Sequence, residues 1–461
     1  MQRIFAIAWL TWKAAFRFRL FLVLASLLLA SVVGLPLLIK DDGTAQGFTQ
    51  ILLTYTLSVI TGLLGLSALW LACGTLARDI EECQIQVVAT KPIGRWQIWL
   101  GKWLGLVTLN AALLALTGAA VFFMLQWRAT QLPAEEQRVL REEVLVARGS
   151  VKEQSWDKDI DAETERVLKD QLAKEQVPGV NLAQVRREIR QQLKSSLELA
   201  PPGEVRVWRI DLGAALGSLR DQPLQLRVKF NAAQGGPNKT FVGLWQIGDP
   251  QSGRVWRSEP MSLAPDTFHE FAIPPDLFDA KGVLTIAFVN SNSTTLLFPL
   301  EDGMEVLYPE SGFGWNFIRG MGIIFCWVAL LSTLGLAAAS LLSFPVAAFF
   351  SLAVLTGGLS GGTLAEVAGN GTSAGVDEDS GVTGHSMFDR VAVPAFRGIL
   401  HVINLIEGFS PIDALSTGRD IPWGELGAAF GQILLLPGGL MALAGVALFY
   451  RRELAAVHPN Q

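Results

Sequence analysis

One charged stretch between two apolar runs holds the residues of this chain best suited to bind a partner. It reads ARDIEECQIQVVATKPIGRWQIWLGKWLG, from Ala77 to Gly105, and it combines carboxylates, basic side chains, a proline and three tryptophans. Such side chains form charge-assisted hydrogen bonds with another protein. They are not arranged for catalysis, because the sequence contains no nucleophile elbow, no HExxH motif and no carboxylates grouped around a histidine. We therefore predict a binding segment in a chain that is not an enzyme.

Nucleotide, metal and cofactor sites have no motif in this sequence. The segment LSGGT at 359–363 is similar to the signature loop of ABC ATPases, but no GxxxxGK[ST] motif accompanies it. The four histidines are scattered, and Asp377, Glu378 and Asp379 lack the spacing of a calcium loop. The three cysteines all fall in or beside apolar runs. We expect no cofactor, no disulfide framework and no nucleic-acid partner, and we expect any ATP hydrolysis to reside in a separate protein.

Apolar runs dominate the chain, of which 50% is hydrophobic and 17% charged. The hydrocarbon layer of a membrane is about 30 Å thick and requires about 20 apolar helical residues. Six runs meet or nearly meet this length: Leu20–Leu38, Ile51–Leu76, Leu104–Leu125, Phe317–Leu342, Phe344–Thr363 and Ala428–Tyr450. The fifth is the weakest, because it ends in GGLSGG. The pattern predicts a polytopic α-helical membrane protein with six transmembrane helices.

The distribution of basic residues predicts the orientation. They precede the first run, lie between the second and third, and follow the sixth: Arg3, Lys13, Arg17, Arg19, Arg78, Lys91, Arg95, Lys102, Arg451 and Arg452. Because cytoplasmic loops are rich in Lys and Arg, both termini are expected inside, with residues 1–19 as a cytoplasmic amphipathic helix. Arg319 is the only charge within the runs. Self-powered secondary transport commonly needs more buried ionisable groups, so we do not expect it.

Residues 128–312 interrupt the membrane pattern with a large insertion, extracytoplasmic on this topology. Its first part, 128–200, is rich in mixed charges and predicts a helical stalk. Its second part, 201–312, alternates at period two and predicts an antiparallel β-sandwich of jelly-roll type. The predicted strands are EVRVWRIDL, PLQLRVKFNA, FVGLWQIGD, GRVWRSEPM, FHEFAI, GVLTIAFVN and GMEVLYP. Transmembrane helices four and five follow at 313–363.

Three tryptophans in these strands, Trp208, Trp245 and Trp256, are candidate ligand-binding aromatics that would stack on a sugar. Packing in the core of the sandwich is the favoured alternative, because aromatic residues are ordinary strand material. Further along, residues 364–427 predict an external loop followed by a re-entrant or interfacial helix. Residues 428–461 predict the sixth span and a cytoplasmic tail.

Within the charged stretch, residues 77–92 predict an amphipathic helix. Ile80, Cys83, Val87 and Val88 would share one face, and Pro92 would end the helix. Ile93, Trp96, Trp99 and Leu100 would form an interfacial stripe, with Arg95 and Lys102 near lipid headgroups. Held by a span at each end, such a helix would act as a lever. A plain interfacial loop anchored by tryptophans fits the composition equally well.

The pattern RDIEE…ATKPIGRWQIWLGKWLG resembles the cytoplasmic loop of ABC-2-type permeases. The similarity is to the branch with the multicopper-enzyme and nitrous-oxide-reductase maturation permeases and the gliding-motility permeases. The tail FSPIDALSTGRDIPWGELGAAF…LFYRRELA is also similar, so the resemblance covers about 1–127 and 315–461. Two features depart from the family: Cys83-Gln84 replaces the usual glycine-threonine, and the insertion between spans three and four is atypical.

The resemblance implies that the loop is a coupling helix docked in a groove of a separate ATPase. The residues it assigns to this contact are Arg78, Asp79, Glu81, Glu82, Lys91, Pro92 and Arg95. It also implies a permease subunit in a bacterial cytoplasmic membrane, working as a dimer with itself or with a homologous permease. Membrane lipid and a periplasmic protein or glycan are further expected partners. Two alternatives remain open: a complex that transmits force without transport, and a membrane-anchored carbohydrate-binding receptor.

Overall fold

The structure is a computed structural model, and it describes most of the 461-residue chain. The described residues are 2–17, 20–38, 45–85, 93–140, 144–174, 182–213, 219, 224–234, 239–249, 253–279, 281–362 and 389–452. The chain divides into two compact units. The helical unit consists of Met1–Ala147 and Ser311–Gln461, and the sandwich unit consists of Arg148–Glu310. The predicted acidic turn at 377–379 lies outside the described residues.

The main helices are, in chain order, α1 (Gln2–Arg17), α2 (Leu20–Leu38), α3 (Ala45–Glu81), α4 (Arg95–Ala129), α5 (Ala134–Val139), α6 (Asp157–Lys174), α7 (Leu182–Glu198), α8 (Phe313–Ala339), α9 (Phe344–Leu359), α10 (Asp389–Glu407), α11 (Pro411–Ser416) and α12 (Trp423–Arg451). A π-helical stretch, Phe430–Gly438, interrupts α12 and contains Pro437. Since proline lacks an N–H and clashes with the preceding turn, it accounts for this irregularity.

Four helices among the described residues are long and apolar enough to cross a membrane: Gly47–Glu81, Arg95–Ala129, Phe313–Ala339 and Trp423–Arg451. They contain the second, third and sixth predicted spans and all but the last three residues of the fourth. The other two predicted spans correspond to shorter apolar helices, Leu22–Leu35 and Phe344–Leu359. With 16 residues, α9 is about 24 Å long. The count of six spans and the orientation therefore stay predictions.

Two glycines let α1 pack directly on α4. A Cβ atom at Gly101 would lie 2.7 Å from Ile7 Cβ and 3.0 Å from the Ile4 carbonyl oxygen, and one at Gly105 would lie 2.7 Å from Thr11 Cβ. Ile7 meets Gly101, and Thr11, four residues later, meets Gly105, also four residues later. The helices α1 and α4 therefore run side by side in the same direction. Glycines four residues apart allow such backbone approach between apolar helices. The amphipathic helix predicted at 1–19 therefore packs along α4 through its buried face.

The sandwich unit is built from antiparallel strands. The strands are β1 (Val146–Lys152), β2 (Leu199–Ala200), β3 (Val205–Asp211), β4 (Leu224–Val228), β5 (Asn231–Ala232), β6 (Phe241–Asp249), β7 (Arg254–Arg257), β8 (Met261–Leu263), β9 (His269–Ile273), β10 (Val283–Val289), β11 (Leu296–Leu297) and β12 (Met304–Gly312). They form sheets of order β1-β12-β4-β9 and β3-β10-β6-β7, with β8 on β6, and a small third sheet β2-β11-β5. Each of the seven predicted segments contains a strand.

One core joins the two larger sheets. Leu226 on β4 and Phe288 on β10 belong to the same buried cluster, as do Trp208 on β3 and Trp245 on β6. Period-two alternation places these side chains on the inner faces of their strands. The antiparallel character of the insertion is as predicted, while its assignment to the jelly-roll type stays a prediction.

One segment of the predicted helical stalk is a strand. The segment VARGSVK within 128–200, expected to be helical, forms β1 at the edge of the four-stranded sheet. Its arginine looks solvated in the sequence, but Arg148 is buried and pairs with Glu270 at 2.8 Å. The helices α6 and α7 follow β1 in the sequence. Strands of the sandwich therefore come both before and after this helical part.

We expect Gly105→Leu to destabilise the chain, because the new side chain would meet the α1 backbone. Overpacking of this kind costs about 1–3 kcal/mol. Gly62→Leu is the matched control, since a Cβ at Gly62 meets nothing within 4 Å. Thermal unfolding in detergent measures both. Equal melting temperatures for the two variants would contradict the packing of α1 on α4.

Candidate functional site

The chain bends directly after α3, at residues 82–84, which we call the turn. Helix α3 continues to Glu81, so Ala77–Glu81 is its last part and not the start of a separate helix. Cys83 has a φ angle of 57°, a conformation that interrupts a helix. The predicted helical face that joined Ile80 to Cys83 is therefore wrong. Lys91 and Pro92 lie outside the described residues.

An ion pair between a buried lysine and a half-buried aspartate joins the end of α3 to α4. Lys102 Nζ contacts Asp79 Oδ2 and donates a hydrogen bond to the Thr75 carbonyl oxygen at 2.9 Å. Lys102 is 7% exposed, so the prediction that it lies near lipid headgroups is wrong. An uncompensated ammonium at this depth would be costly, which makes Asp79 necessary for burying it.

A second contact joins the end of α3 to the start of α9. The backbone N–H of Phe344 donates to Glu81 Oε1 at 2.8 Å. The guanidinium carbon of Arg78 lies 4.4 Å from the centre of the Phe344 ring. A carboxylate at a helix N-terminus satisfies a free N–H and interacts favourably with the helix dipole. Glu81 therefore caps a helix that is 263 positions away in sequence.

Arg95 caps the far end of α12. Its Nη1 donates to the carbonyl oxygens of Phe449 at 3.0 Å, Tyr450 at 2.8 Å and Arg452 at 2.9 Å. The last carbonyls of a helix have no partner within the helix, and a cation is favourable there. Arg95 thus ties the start of α4 to the end of α12, and its place near lipid headgroups stays a prediction.

Arg452 continues the same pattern. Its Nη1 donates to the carbonyl oxygens of Ala339 at 3.1 Å and Leu342 at 3.4 Å, at the end of α8. Burial lowers the pKa of Arg452, and the negative charge of Glu81 opposes that shift. The guanidinium remains charged at neutral pH. Arg452 thus joins α12 to α8 and lies within the electrostatic influence of Glu81.

These contacts form a closed circuit, which we call the helix-end ring: Asp79, Glu81, Arg95, Lys102 and Arg452 with the groups they bind. The circuit runs from α3 to α4, to α12, to α8, through residues 340–343 to α9, and back to α3. Lys102 and Arg452 were not among the predicted site residues. Their charge beside an apolar run was visible in the sequence, but their partners lie far along the chain.

The turn is exposed to solvent. Glu82, Cys83 and Gln84 are exposed, and Gln84 Nε2 donates to Glu82 Oε2 at 2.6 Å. Trp96 is also exposed, whereas Trp99 is 1% exposed and donates to Ser340 Oγ at 3.1 Å. Trp99 therefore belongs to the core and not to the predicted interfacial stripe. Of the predicted ATPase contacts that the structure describes, Arg78, Glu81 and Glu82 are exposed. Glu81 also binds the Phe344 N–H, whereas Glu82 binds its neighbour Gln84.

A separate buried ion pair lies near the start of α8. Arg319 Nη2 donates to Asp420 Oδ1 and to Ser311 Oγ, both at 2.7 Å, and the side chains of the pair are 5% and 3% exposed. Asn316 Nδ2 donates to the Arg419 carbonyl oxygen at 2.6 Å. These contacts fix the segment between α11 and α12 on α8. Arg319, the only charge within the predicted spans, is thus neutralised by Asp420, which lies outside them.

The tryptophans proposed for ligand binding do not form a binding surface. Trp208 and Trp245 are each 2% exposed, in the core of the sandwich. Trp256 is partly buried and stacks on Phe271 with ring centres 6.4 Å apart. Two of the three rings have no face available to a sugar, so the structure does not support a site built from these residues.

The apolar helices of the helical unit define a membrane protein with a β-rich insertion. Within it, residues 5–137 match the family model described as ABC-2 family transporter protein. The matched region includes α1 to α4 and the α3–α4 turn. The searches of curated proteins and of solved structures gave no match. The family match supports a permease of the ABC-2 type, and the particular branch of that family stays a prediction.

Replacing Asp79 by Ala should destabilise the chain, since it leaves Lys102 buried without its carboxylate. We expect a loss of about 3 kcal/mol, the low end for breaking a buried pair, because the Asp79 side chain is 34% exposed. The double variant Asp79→Leu/Lys102→Met removes both charges and should recover most of the loss. Unfolding by SDS titration measures each variant. A double variant as unstable as Asp79→Ala would contradict the ion-pair interpretation.

Proposed function

We propose that this chain is the membrane subunit of an ABC-2-type transporter. It couples ATP hydrolysis by a separate ATPase subunit to export or outward work across a bacterial cytoplasmic membrane. The observation that carries this proposal is the helix-end ring, which connects an exposed acidic turn to five helix ends. The family match over 5–137 supports the same proposal. The alternative of a plain interfacial loop explains neither the buried pair nor the caps.

The ring gives the turn a mechanical role. Charge-assisted contacts to helix termini are short and directional, so the helix ends they join resist separation. A partner that displaces the turn therefore displaces α3 and α4, and through Arg95 and Arg452 it also acts on α12 and α8. Glu82, exposed directly after the last residue of α3, supplies a carboxylate for a basic groove on the ATPase. Closure of two ATPases on ATP would act on two such turns in a dimer of permeases.

Force transmission without transport is the second candidate function. The sandwich unit has its own core, so it is able to act as a separate body on an envelope partner. ATP-driven transport into vesicles, measured with the full chain and with 148–310 removed, separates the two functions. Transport by the full and the shortened chain supports a permease, whereas an envelope phenotype that needs 148–310, together with no transport by the full chain, supports force transmission.

Glu82→Arg should prevent co-purification of the ATPase, because a guanidinium would replace the carboxylate that binds the basic groove and would be repelled by it. We expect at least a tenfold fall in ATPase per permease, which corresponds to about 1.4 kcal/mol. The measurement is ATPase content and hydrolysis after purification of the tagged chain in mild detergent. Glu135→Arg, an equal change of charge at an exposed residue of α5, is the control. A wild-type chain that brings no ATPase would overturn the proposal.

A further inference from the structure

The first residue of α9 is held by one stripe of α3. Four α3 residues contact Phe344 or its backbone: Trp70, Gly74, Arg78 and Glu81. The Trp70 and Phe344 rings meet edge to face with centres 5.3 Å apart. A Cβ added at Gly74 would lie 3.4 Å from the Phe344 ring. Residues spaced by three or four lie on one helix face, so this stripe runs straight to the exposed turn.

A second contact lies two helical turns further along α9. Cys73 Sγ and Ser351 Oγ are 3.6 Å apart, and both residues are buried. The contacts at Phe344 and at Ser351 thus fix both the position and the direction of α9 against α3. Two such points prevent α9 from pivoting on its first residue.

Among the described residues, few contacts bury the second half of α9. The buried residues of this helix are Ala347, Ala348 and Ser351, all in its first half. Phe349 is 76% exposed and Leu359 is 81% exposed. By contrast, α8 buries residues from Phe313 to Ala339 along its whole length. Because buried contacts resist displacement, α9 is held through its first half, where it packs on α3 and on α8.

We propose that α9 and the end of α3 move as one rigid unit when the turn is displaced, with Glu81 and Arg78 as positioning residues. This inference rests on the proposed function, because it names the helix that receives the displacement. Glu81 transmits it by binding the α9 N-terminus, and the Arg78 cation keeps the Phe344 ring in place. Glu82, one residue further, contacts the partner. Of these two adjacent carboxylates, Glu82 therefore docks the partner and Glu81 transmits the displacement.

A disulfide across the two helices tests the rigid unit. Ser351→Cys places a thiol opposite Cys73, and Cys83→Ser removes the exposed thiol. In the full complex, oxidation should join Cys73 to the introduced thiol and leave at least one third of the ATP-driven activity. A fall of more than threefold that dithiothreitol reverses would show that α9 must move against α3, and it would overturn the inference.

Glu81 variants test transmission separately from docking. Glu81→Ala should retain the ATPase at the wild-type ratio but lose at least fivefold of the permease-dependent stimulation of hydrolysis. Glu81→Gln should restore part of it, because the amide oxygen still accepts the Phe344 N–H. Full stimulation in Glu81→Ala would overturn the role of Glu81. Loss of the ATPase from the purified complex would assign Glu81 to docking, and it would also overturn the proposed role of Glu81 in transmission.

Hydrogen exchange tests the contact between Glu81 and the α9 N-terminus, which we call the clamp, and it needs no ATPase. Glu81→Ala should speed exchange in the first turn of α9 by about tenfold, equal to about 1.4 kcal/mol. Glu135→Ala is the control for loss of an exposed carboxylate and should leave that exchange unchanged. If the wild-type chain binds no ATPase but this effect is present, the proposed function fails while the clamp stands. Unchanged exchange in Glu81→Ala overturns the clamp itself.

Discussion

The capping of helix ends by charged side chains is the constraint on which the helical unit depends. A helix leaves its first N–H groups and last carbonyls without partners, and apolar surroundings make such groups costly. In this chain, Arg95 and Arg452 bind the final carbonyls of α12 and α8, and Glu81 binds the first N–H of α9. Each charge satisfies a neighbouring helix instead of its own. The helices are thereby joined through groups that every helix must satisfy.

Polar contacts at the start of α8 differ from the ring in what they hold. The Arg319–Asp420 pair fixes a connecting segment, whereas the ring joins helices that are distant in sequence. Between these polar clusters the helices pack through small residues, as where Gly335 approaches the Leu69 carbonyl oxygen. Apolar packing has few directional bonds, so it permits sliding more readily than the capped ends do. Displacements of the turn are therefore expected to move helices as rigid bodies.

Patterns within one element were predictable, and contacts between distant elements were not. Period-two alternation located seven strands, and apolar length located the four long helices. The same rules failed at VARGSVK, where an ion pair from another strand buries Arg148. They also failed at Lys102 and Trp99, whose types are common near lipid headgroups but whose partners, Asp79 and Ser340, lie on other helices. Hydropathy records the side chain alone and not the partner that allows its burial.

The pair Glu81-Glu82 shows why the charged stretch needed a structure for its interpretation. In sequence the two carboxylates are equivalent, and both fit a partner's basic groove. The break at Cys83 ends α3 just after them, so Glu81 still points along the helix face toward Phe344 while Glu82 lies in the turn. A carboxylate engaged by a helix N-terminus loses part of its capacity to bind elsewhere. The local backbone therefore lets Glu81 bind the α9 N-terminus and leaves Glu82, which is likewise exposed, for a partner.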